Sequence, residues 1–357
     1  MQKLKIIVSD FHLGVGKYLP DGRFNYLEDF YYDDKFIEFL RYHRTGPFAE
    51  ADIELIVNGD FFNHLQVNVD DPSPEIIDEE EAILRTKAIL KGHPEMFSAM
   101  KEFADTPHHF ITFTLGNHDP GLLFTAVHHL LQQTLGQKTE VKTGPYIFDG
   151  VHVEHGNQYF ADNAYNTRLY FLSKGLPKPV VNIPWGSYFV IHFLNPIKKE
   201  RHYFDKIYPF KYYLRWAFIH DTGFAIRSIA KILFYFFWLR FRKDPYRRSP
   251  LTRTLKIAKE VPLSPKLDRE AKKILLSQKN IHTVVFSHTH FALLRQFTPN
   301  KTYINTGLWN EQISLEISNP GKIVRLTYAQ LDYGEEGNIK PSLKEWKGTH
   351  QIIEDIF

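Results

Sequence analysis

The chain is expected to fold as an α/β domain carrying a large insertion. Short β-branched or aromatic runs alternate with longer helical stretches over the first 155 residues, and the same alternation resumes after Lys266. The segment between differs in composition. With 357 residues and 43% hydrophobic content, the chain can bury one large core.

The runs "KLKIIVS", "DIELIVN", "HHFITFT" and "GVHVE" predict the first four strands. Helices are expected over Asp33 to Arg44, Asp78 to Asp105 and Gly121 to Leu135, so the strands should pair in parallel through helical crossovers. A helix from Leu267 to Gln278 precedes "HTVVFS", "KTYIN", "ISLEIS" and "IVRLTYA". Those last strands lie close together, which predicts an antiparallel meander. The C-terminal "LKEWKGTHQIIEDIF" carries no clear signal.

Composition narrows the chemistry. The sequence has no Cys, which removes disulfides, thiolate metal sites and a Cys nucleophile, and it suits a reducing compartment. The start "MQKLKIIVSD" reads as a strand rather than a secretory signal, giving an expected cytoplasmic location. Net charge is only +3, yet Pro196 to Lys256 holds 15 Lys or Arg against 4 acids, a local balance of +11 on a body carrying −8.

The strand ends carry the strongest signal. "SDFHLG" places Asp10 and His12 after the first strand, "NGDFFN" places Asp60 after the second, and "TLGNHDPG" places Asn117, His118 and Asp119 after the third. "VEHGN" adds His155, and "VVFSHTHF" adds His288 and His290. Asn, Gly and Asp are ordinary turn residues, so one such cluster is a turn. Five in succession point to a site, because ligands of open α/β sheets gather at the carboxyl ends of strands. Asp10 and His12, two apart, would share a side of an extended segment. Imidazoles with two carboxylates and an amide oxygen suit Mn, Fe, Zn or Co, and seven donors are too many for one tetrahedral ion.

The order DxH, GD, GNH(D), HG, HxH resembles the calcineurin-like metallophosphoesterases over residues 1 to about 160 and 280 to about 330. The resemblance implies a four-layer α/β/β/α sandwich with a large helical cap, residues 1–160 and 266–357 forming the core and 161–265 the cap. It implies two divalent ions, manganese foremost: Asp10, His12 and His290 on one, Asn117, His155 and His288 on the other, and Asp60 bridging. Such a pair acidifies a shared water and stabilises charge in an in-line displacement at phosphorus. His118 would be the catalytic acid, Asp119 would orient its ring, and Gly116 would allow the tight turn. Asn63 matches a supporting position of the family, and His64 beside it faces either substrate or solvent. Asn305 is expected to shape a turn near the site, and the remaining histidines to be structural.

His155 and His288 lie 133 positions apart, which leaves room for a cap over the site. Among subfamilies the chain looks most like the UDP-2,3-diacylglucosamine diphosphatases of lipid A synthesis, which follow the HG pair with an Asp and a Tyr, as "EHGNQYFADNAY" does with Asp162 and Tyr165; Asn157 lies in the same stretch. Two departures stand out: that subfamily has Arg where this chain has His118, and its cap is shorter. The cap contains "RSIAKILFYFFWLRFRK", whose uncharged stretch from Ile232 to Leu239 is far below the roughly 20 residues of a membrane span. With Arg240, Arg242, Lys243, Arg247 and Arg248 alongside, it is expected to lie at the inner membrane surface or line an apolar pocket. The expected partner is a phosphorylated small molecule or lipid. A nuclease or nucleotide phosphodiesterase would instead use the basic segment on phosphates, and a non-catalytic binding scaffold would tolerate loss of ligands.

Overall fold

Alternation along the strands decides which side chains meet which layer. The computed structural model describes residues 2–67, 75–208, 210–241, 256–257, 266–316, 320–334 and 337–349. In β1 (Lys3–Val8), Leu4, Ile6 and Val8 enter one apolar core while Ile7 enters another on the opposite face. β2 (Asp52–Asn58) repeats this, with Ile53, Leu55 and Val57 on the first side and Ile56 on the second. Both faces are therefore covered.

Six strands form the first sheet, in the order β16 (Ile339–Trp346), β15 (Leu326–Tyr333), β1, β2, β3 (His109–Thr114), β4 (Thr139–Lys142). β1 to β4 pair in parallel, and β15 and β16 extend the sheet antiparallel. The second sheet runs β11 (Leu293–Thr298), β12 (Lys301–Asn305), β10 (Thr283–Phe286), β6 (Val151–Val153), β5 (Tyr146–Phe148). Ile7, Ile56, Val153, Val285, Ile304 and Leu331 pack between the sheets. Helices α1 (Asp33–Arg44), α2 (Glu79–Gly92), α3 (Pro94–Asp105) and α4 (Thr125–Leu135) cover the outer face of the first sheet, and α9 (Leu267–Ser277) covers that of the second. The fold is the four-layer α/β/β/α arrangement.

Two expectations about elements change. The predicted helix from Asp78 to Asp105 is two helices, broken at His93–Pro94, because Pro94 donates no hydrogen bond and restricts the residue before it. The last strands make no single meander: β10 and β12 are parallel, β11 with β12 and β15 with β16 are hairpins, and the strands are shared among sheets. The first part of "LKEWKGTHQIIEDIF" completes β16, and residues 350–357 lie outside the described residues.

The break at His93 is used. Its Nδ1 lies 2.7 Å from Asp33 and its Nε2 3.4 Å from Glu28, whose carboxylate also accepts from Gly14 N at 3.0 Å and Gly16 N at 2.6 Å. Burial alone would lower the His93 pKa, but the two carboxylates overcome it and hold the ring at about 9. A raised folded pKa stabilises fully below the ordinary value near 6.5 and is lost as pH climbs through about 9. Stability of the native protein should therefore fall by about 3 kcal/mol from pH 6.5 to 9 relative to His93→Gln, measured by urea unfolding. Parallel profiles for the two proteins would refute the clasp.

Residues after Tyr159 wrap the carboxyl ends of the strands. β7 (Phe171–Leu172) and β8 (Val180–Val181) form a small hairpin, and α5 (Trp185–Phe189) continues through a π-helical turn, Val190–Leu194, into α6 (Asn195–Lys198). β9 (Ile207–Tyr208) joins β13 (Glu311–Ser314) and β14 (Gly321–Val324) in a third sheet, and α7 (Phe210–His220) and α8 (Thr222–Phe241) follow. Tyr165, Val181, Ile183 and Tyr188 join the first core, whereas Phe193, Phe204, Tyr213 and Phe224 build a separate one.

Of the 15 basic residues from Pro196 to Lys256, Lys198, Arg201 and Lys206 are internally paired. Lys198 is fully buried, 2.6 Å from Asp29 and 2.8 Å from Asp205, Lys206 lies 3.1 Å from Glu311, and Arg201 pairs with Asp221. Lys198 and Lys206 thus tie the insertion to core acids. Arg240 belongs to α8, while Arg242, Lys243, Arg247 and Arg248 lie outside the described residues. Among the described residues no helix is long and apolar enough to cross a membrane.

Candidate metal centre

β1, β2, β3, β6 and β10 all deliver their carboxyl ends to one place, and the polar residues just beyond them converge there. Asp10, His12 and His290 present donor atoms within 4.8 Å of one another, and so do Asp60, His155 and His288. Asp60 and His12 also form such a group with His118. Asp60 Oδ2 is 3.0 Å from His155 Nε2, and Asp10 Oδ1 is 3.3 Å from His290 Nε2.

The backbone takes on strain to achieve this. Among the described residues only seven other than Gly have left-handed φ, and five are Asp10, His12, Asp60, His288 and His290. That conformation costs about 1–3 kcal/mol per residue and is retained where a site requires it. It also corrects the expectation for Asp10 and His12: at φ 56° and 55° they are not extended. Successive left-handed turns bring their side chains together while Phe11 between them is fully buried.

Three buried ligand atoms among the described residues make no hydrogen bond. Asp10 Oδ1, Asn117 Oδ1 and His155 Nε2 are buried with no hydrogen bond, a costly state that a cation relieves. The orientation of His155 suits it: Nδ1 lies 2.9 Å from the Asn58 carbonyl, to which it donates, so Nε2 is the nitrogen turned toward Asp60, where a cation would take the place of its proton. Ser287 Oγ donates to the same carbonyl at 2.9 Å. Asn58 and Ser287 were not singled out from sequence, although each flanks a motif. The clustered His and Asp residues can thus hold metal ions, and the residues present fit such ions.

Electrostatics agree with cation binding. Burial lowers His12 and His288 well below the ordinary range, with neighbouring imidazoles adding to it, so both are neutral donors. Burial would raise Asp60, but His155, His118 and His12 outweigh it and keep the carboxylate ionised. Burial likewise opposes charge on His155, yet Asp60 and Asp10 hold it up at about 9, a load that a metal would replace.

Two glycines are required by close approach. A Cβ on Gly59, at φ 78°, would strike the His155 ring, and one on Gly116 would strike the Asp60 carboxylate. Gly116 is therefore needed for clearance, rather than for the turn conformation.

Asp119 does not support the His118 ring as expected. Its Oδ2 accepts from Asp60 N at 2.5 Å and Gly116 N at 3.0 Å, and Oδ1 from Phe62 N at 2.8 Å, so it clamps the loop bearing Asp60. Burial and then Asp60 push its carboxyl well above the usual range. The ring of His118 is oriented by Asn63, whose Oδ1 is 3.0 Å from Nδ1.

His64 faces neither substrate nor solvent. It is fully buried, its Nδ1 accepting from Gly121 N at 3.1 Å and its Nε2 lying 3.1 Å from Thr86 Oγ1, and burial drops its pKa to about 3. Tyr165 is buried and donates to the Asn117 carbonyl at 3.3 Å, while Asn157 donates to Asn163 O at 2.9 Å. Asp162 contributes its backbone carbonyl to Gly186 N at 2.8 Å. Asn305 Oδ1 accepts from Gly307 N at 3.1 Å, closing the turn beside Trp309.

A cavity of about 200 Å³ opens on this centre, bordered by His12, Asn63, Gln66, His118 and His290 and also by Asp29, Lys206 and Glu311. At Leu194 and Asp205 it adjoins a second cavity of about 370 Å³ walled by Phe189, Phe193, Phe204, Tyr213, Phe224 and Ile232. A cavity lined by many polar residues and an apolar one therefore share Leu194 and Asp205.

No protein-family model matches the chain, and no curated protein does. Among solved structures it is similar to the calcineurin-like phosphoesterase YfkN from Bacillus subtilis, at 11% identity over 96% of this chain and 90% of that one, with a TM-score of 0.35. A predicted phosphoesterase from Streptococcus pneumoniae matches at 10% identity over 98% and 92%, TM-score 0.29. Wild-type Vps29 complexed with zinc, from Entamoeba histolytica, matches at 11% over 96% and 99%, TM-score 0.27. At such scores the functional reading rests on the site itself.

Proposed function

We propose that the chain is a metal-dependent phosphohydrolase of the calcineurin-like kind that cleaves a phosphoester or pyrophosphate bond in an amphiphilic, lipid-linked nucleotide such as UDP-2,3-diacylglucosamine. The observation that carries the reaction class is the convergence of Asp10, His12, Asp60, His118, His155, His288 and His290 from five strand ends, five of them in left-handed backbone, with buried atoms of Asp10, His155 and the adjacent Asn117 that make no hydrogen bond. When bound, divalent cations supply the positive charge that polarises a phosphoryl oxygen and acidifies water. Asp10, His12, Asp60, Asn117, His155, His288 and His290 would hold them, and His118 borders the cavity where the phosphate would sit.

Two features support an amphiphilic substrate. The apolar cavity shares Leu194 and Asp205 with the one beside His118, which supports placing the phosphate near His118 and the tail among Phe193, Phe204 and Phe224. Trp216, Ile219, Ile226, Leu233 and Phe234 are exposed on α7 and α8 near exposed Arg215, Arg227 and Lys231, the make-up of an anionic membrane contact. We accordingly assign residues 161–265 as the cap and 1–160 with 266–357 as the catalytic core. The nuclease alternative is weakened because Lys198, Lys206 and Arg201 already face carboxylates.

The test is hydrolysis with added Mn²⁺ of UDP-2,3-diacylglucosamine in anionic vesicles, beside bis-p-nitrophenyl phosphate. Both should be cleaved, the first with the lower KM. Ser228→Phe projects into the apolar cavity and would displace about two methylenes at about 0.8 kcal/mol each, raising KM for the lipid about tenfold and leaving the generic ester unchanged. Equal KM values for the lipid in both proteins would remove the tail from that cavity, and inertness toward both esters would remove the reaction.

A further inference from the structure

The polar side of the cavity contains a run of amides whose directions are all determined by one backbone carbonyl. Asn195 Nδ2 donates to Leu65 O at 3.0 Å, and a carbonyl can only accept. Asn195 Oδ1 must then face the other way, and it accepts from Gln66 Nε2 at 2.7 Å. Gln66 Oε1 in turn accepts from Asn63 Nδ2, which leaves Asn63 Oδ1 as the acceptor toward His118 Nδ1 at 3.0 Å. Each amide has one donating and one accepting end, so the direction set at Leu65 passes without ambiguity to the imidazole.

We infer that Gln66 and Asn195 are positioning residues that hold His118 with the proton on Nδ1 and an unprotonated Nε2 toward the cavity. Without the relay, Asn63 can rotate its amide and offer Nδ2 to the ring, which would favour the opposite tautomer. Gln66 and Asn63 are nearly fully buried, so water does not readily substitute for a missing partner. Asn195 sits at the start of α6, in the insertion, whereas Gln66, Asn63 and His118 belong to the core. Seating of the insertion and orientation of the imidazole are therefore one event: a cap displaced at α6 loses Asn195, and the relay loses its far end. This deepens the hydrolase reading by naming what sets the state of the ring, and the contacts themselves hold whether or not that reading does.

Gln66→Leu and Asn195→Leu break the relay, while Gln66→Glu preserves an acceptor for Asn63 Nδ2. In metal-free protein labelled with ¹⁵N-histidine, wild type and Gln66→Glu should show His118 as the Nδ1–H tautomer, and the two Leu variants a mixture or the reverse. With Mn²⁺ and bis-p-nitrophenyl phosphate, the Leu variants should lose about tenfold in kcat with metal content unchanged, and Gln66→Glu should recover most of it. An unaltered His118 spectrum in both Leu variants overturns the relay, whatever the activity. A shifted spectrum with unchanged kcat would uphold the relay and instead count against a role for His118 in hydrolysis.

Discussion

Asp60→Asn is expected to release metal and to lower kcat by about three decades, the equivalent of several kcal/mol of lost charge stabilisation. Asp60 is the one residue shared by the group with His155 and His288 and the group with His12 and His118. Its Oδ2 is 3.0 Å from His155 Nε2, its Oδ1 accepts from His118 N at 2.8 Å, and it is 1% exposed. Asn keeps the shape and one oxygen but removes the charge that balances three imidazoles. Metal analysis after dialysis should show fewer than the wild-type number of ions. Thermal unfolding adds a second readout: Mn²⁺ should raise the wild-type melting temperature and leave that of Asp60→Asn nearly unmoved. Full metal content in the variant would sink the bridging role, and a loss of fold without metal would show up as a lower melting temperature in the ion-free state.

The candidate ligands were legible because the chemistry needs rare residue types and repeats them at successive strand ends. One imidazole says little, but Asp10, Asp60, Asn117, His155 and His288 after five consecutive apolar runs leave few explanations, and the structure brings Asp10, His12 and His290 together and likewise Asp60, His155 and His288. What did not follow from sequence depends on distance in space. Asp119 adjoins His118 in the chain, yet its carboxylate turns to the amides of Asp60, Gly116 and Phe62. Asn63 lies 55 positions from His118 and reaches its ring. His64 is polar and sits in a motif, but its two nitrogens are consumed by Gly121 and Thr86 from segments that only the fold brings near. The helix break at His93 was available locally in "GHP", and reading periodicity across it concealed the break. The charge of the insertion misleads for a related reason: counting +11 ignores that Asp29 and Glu311, contributed by the core, lie against Lys198 and Lys206.

His118→Ala is expected to lower kcat by about 10² to 10⁴ while metal content stays at the wild-type level. The two halves of that statement separate two roles. His118 lies within 4.8 Å of His12 and Asp60 donors and its ring meets that of His12 at 4.6 Å, a geometry open to a ligand as well as to a group acting on substrate. Its Nδ1 is occupied by Asn63, and burial outweighs Asp60 to keep the ring below the ordinary histidine range, so the neutral form offers a single lone pair on Nε2. Donation of a proton to a leaving oxygen, the role implied by the family resemblance, then requires the imidazolium and draws on a minor population at neutral pH. Metal loss in His118→Ala would make it a ligand; retained metal with a large fall in kcat keeps it as the residue acting on the phosphate. Adding Asn63→Ala to His118→Ala should cost nothing more, because Asn63 acts through a ring that is no longer there. Additive losses would mean that Asn63 touches the substrate itself, which its place on the cavity wall permits and its bond to His118 argues against.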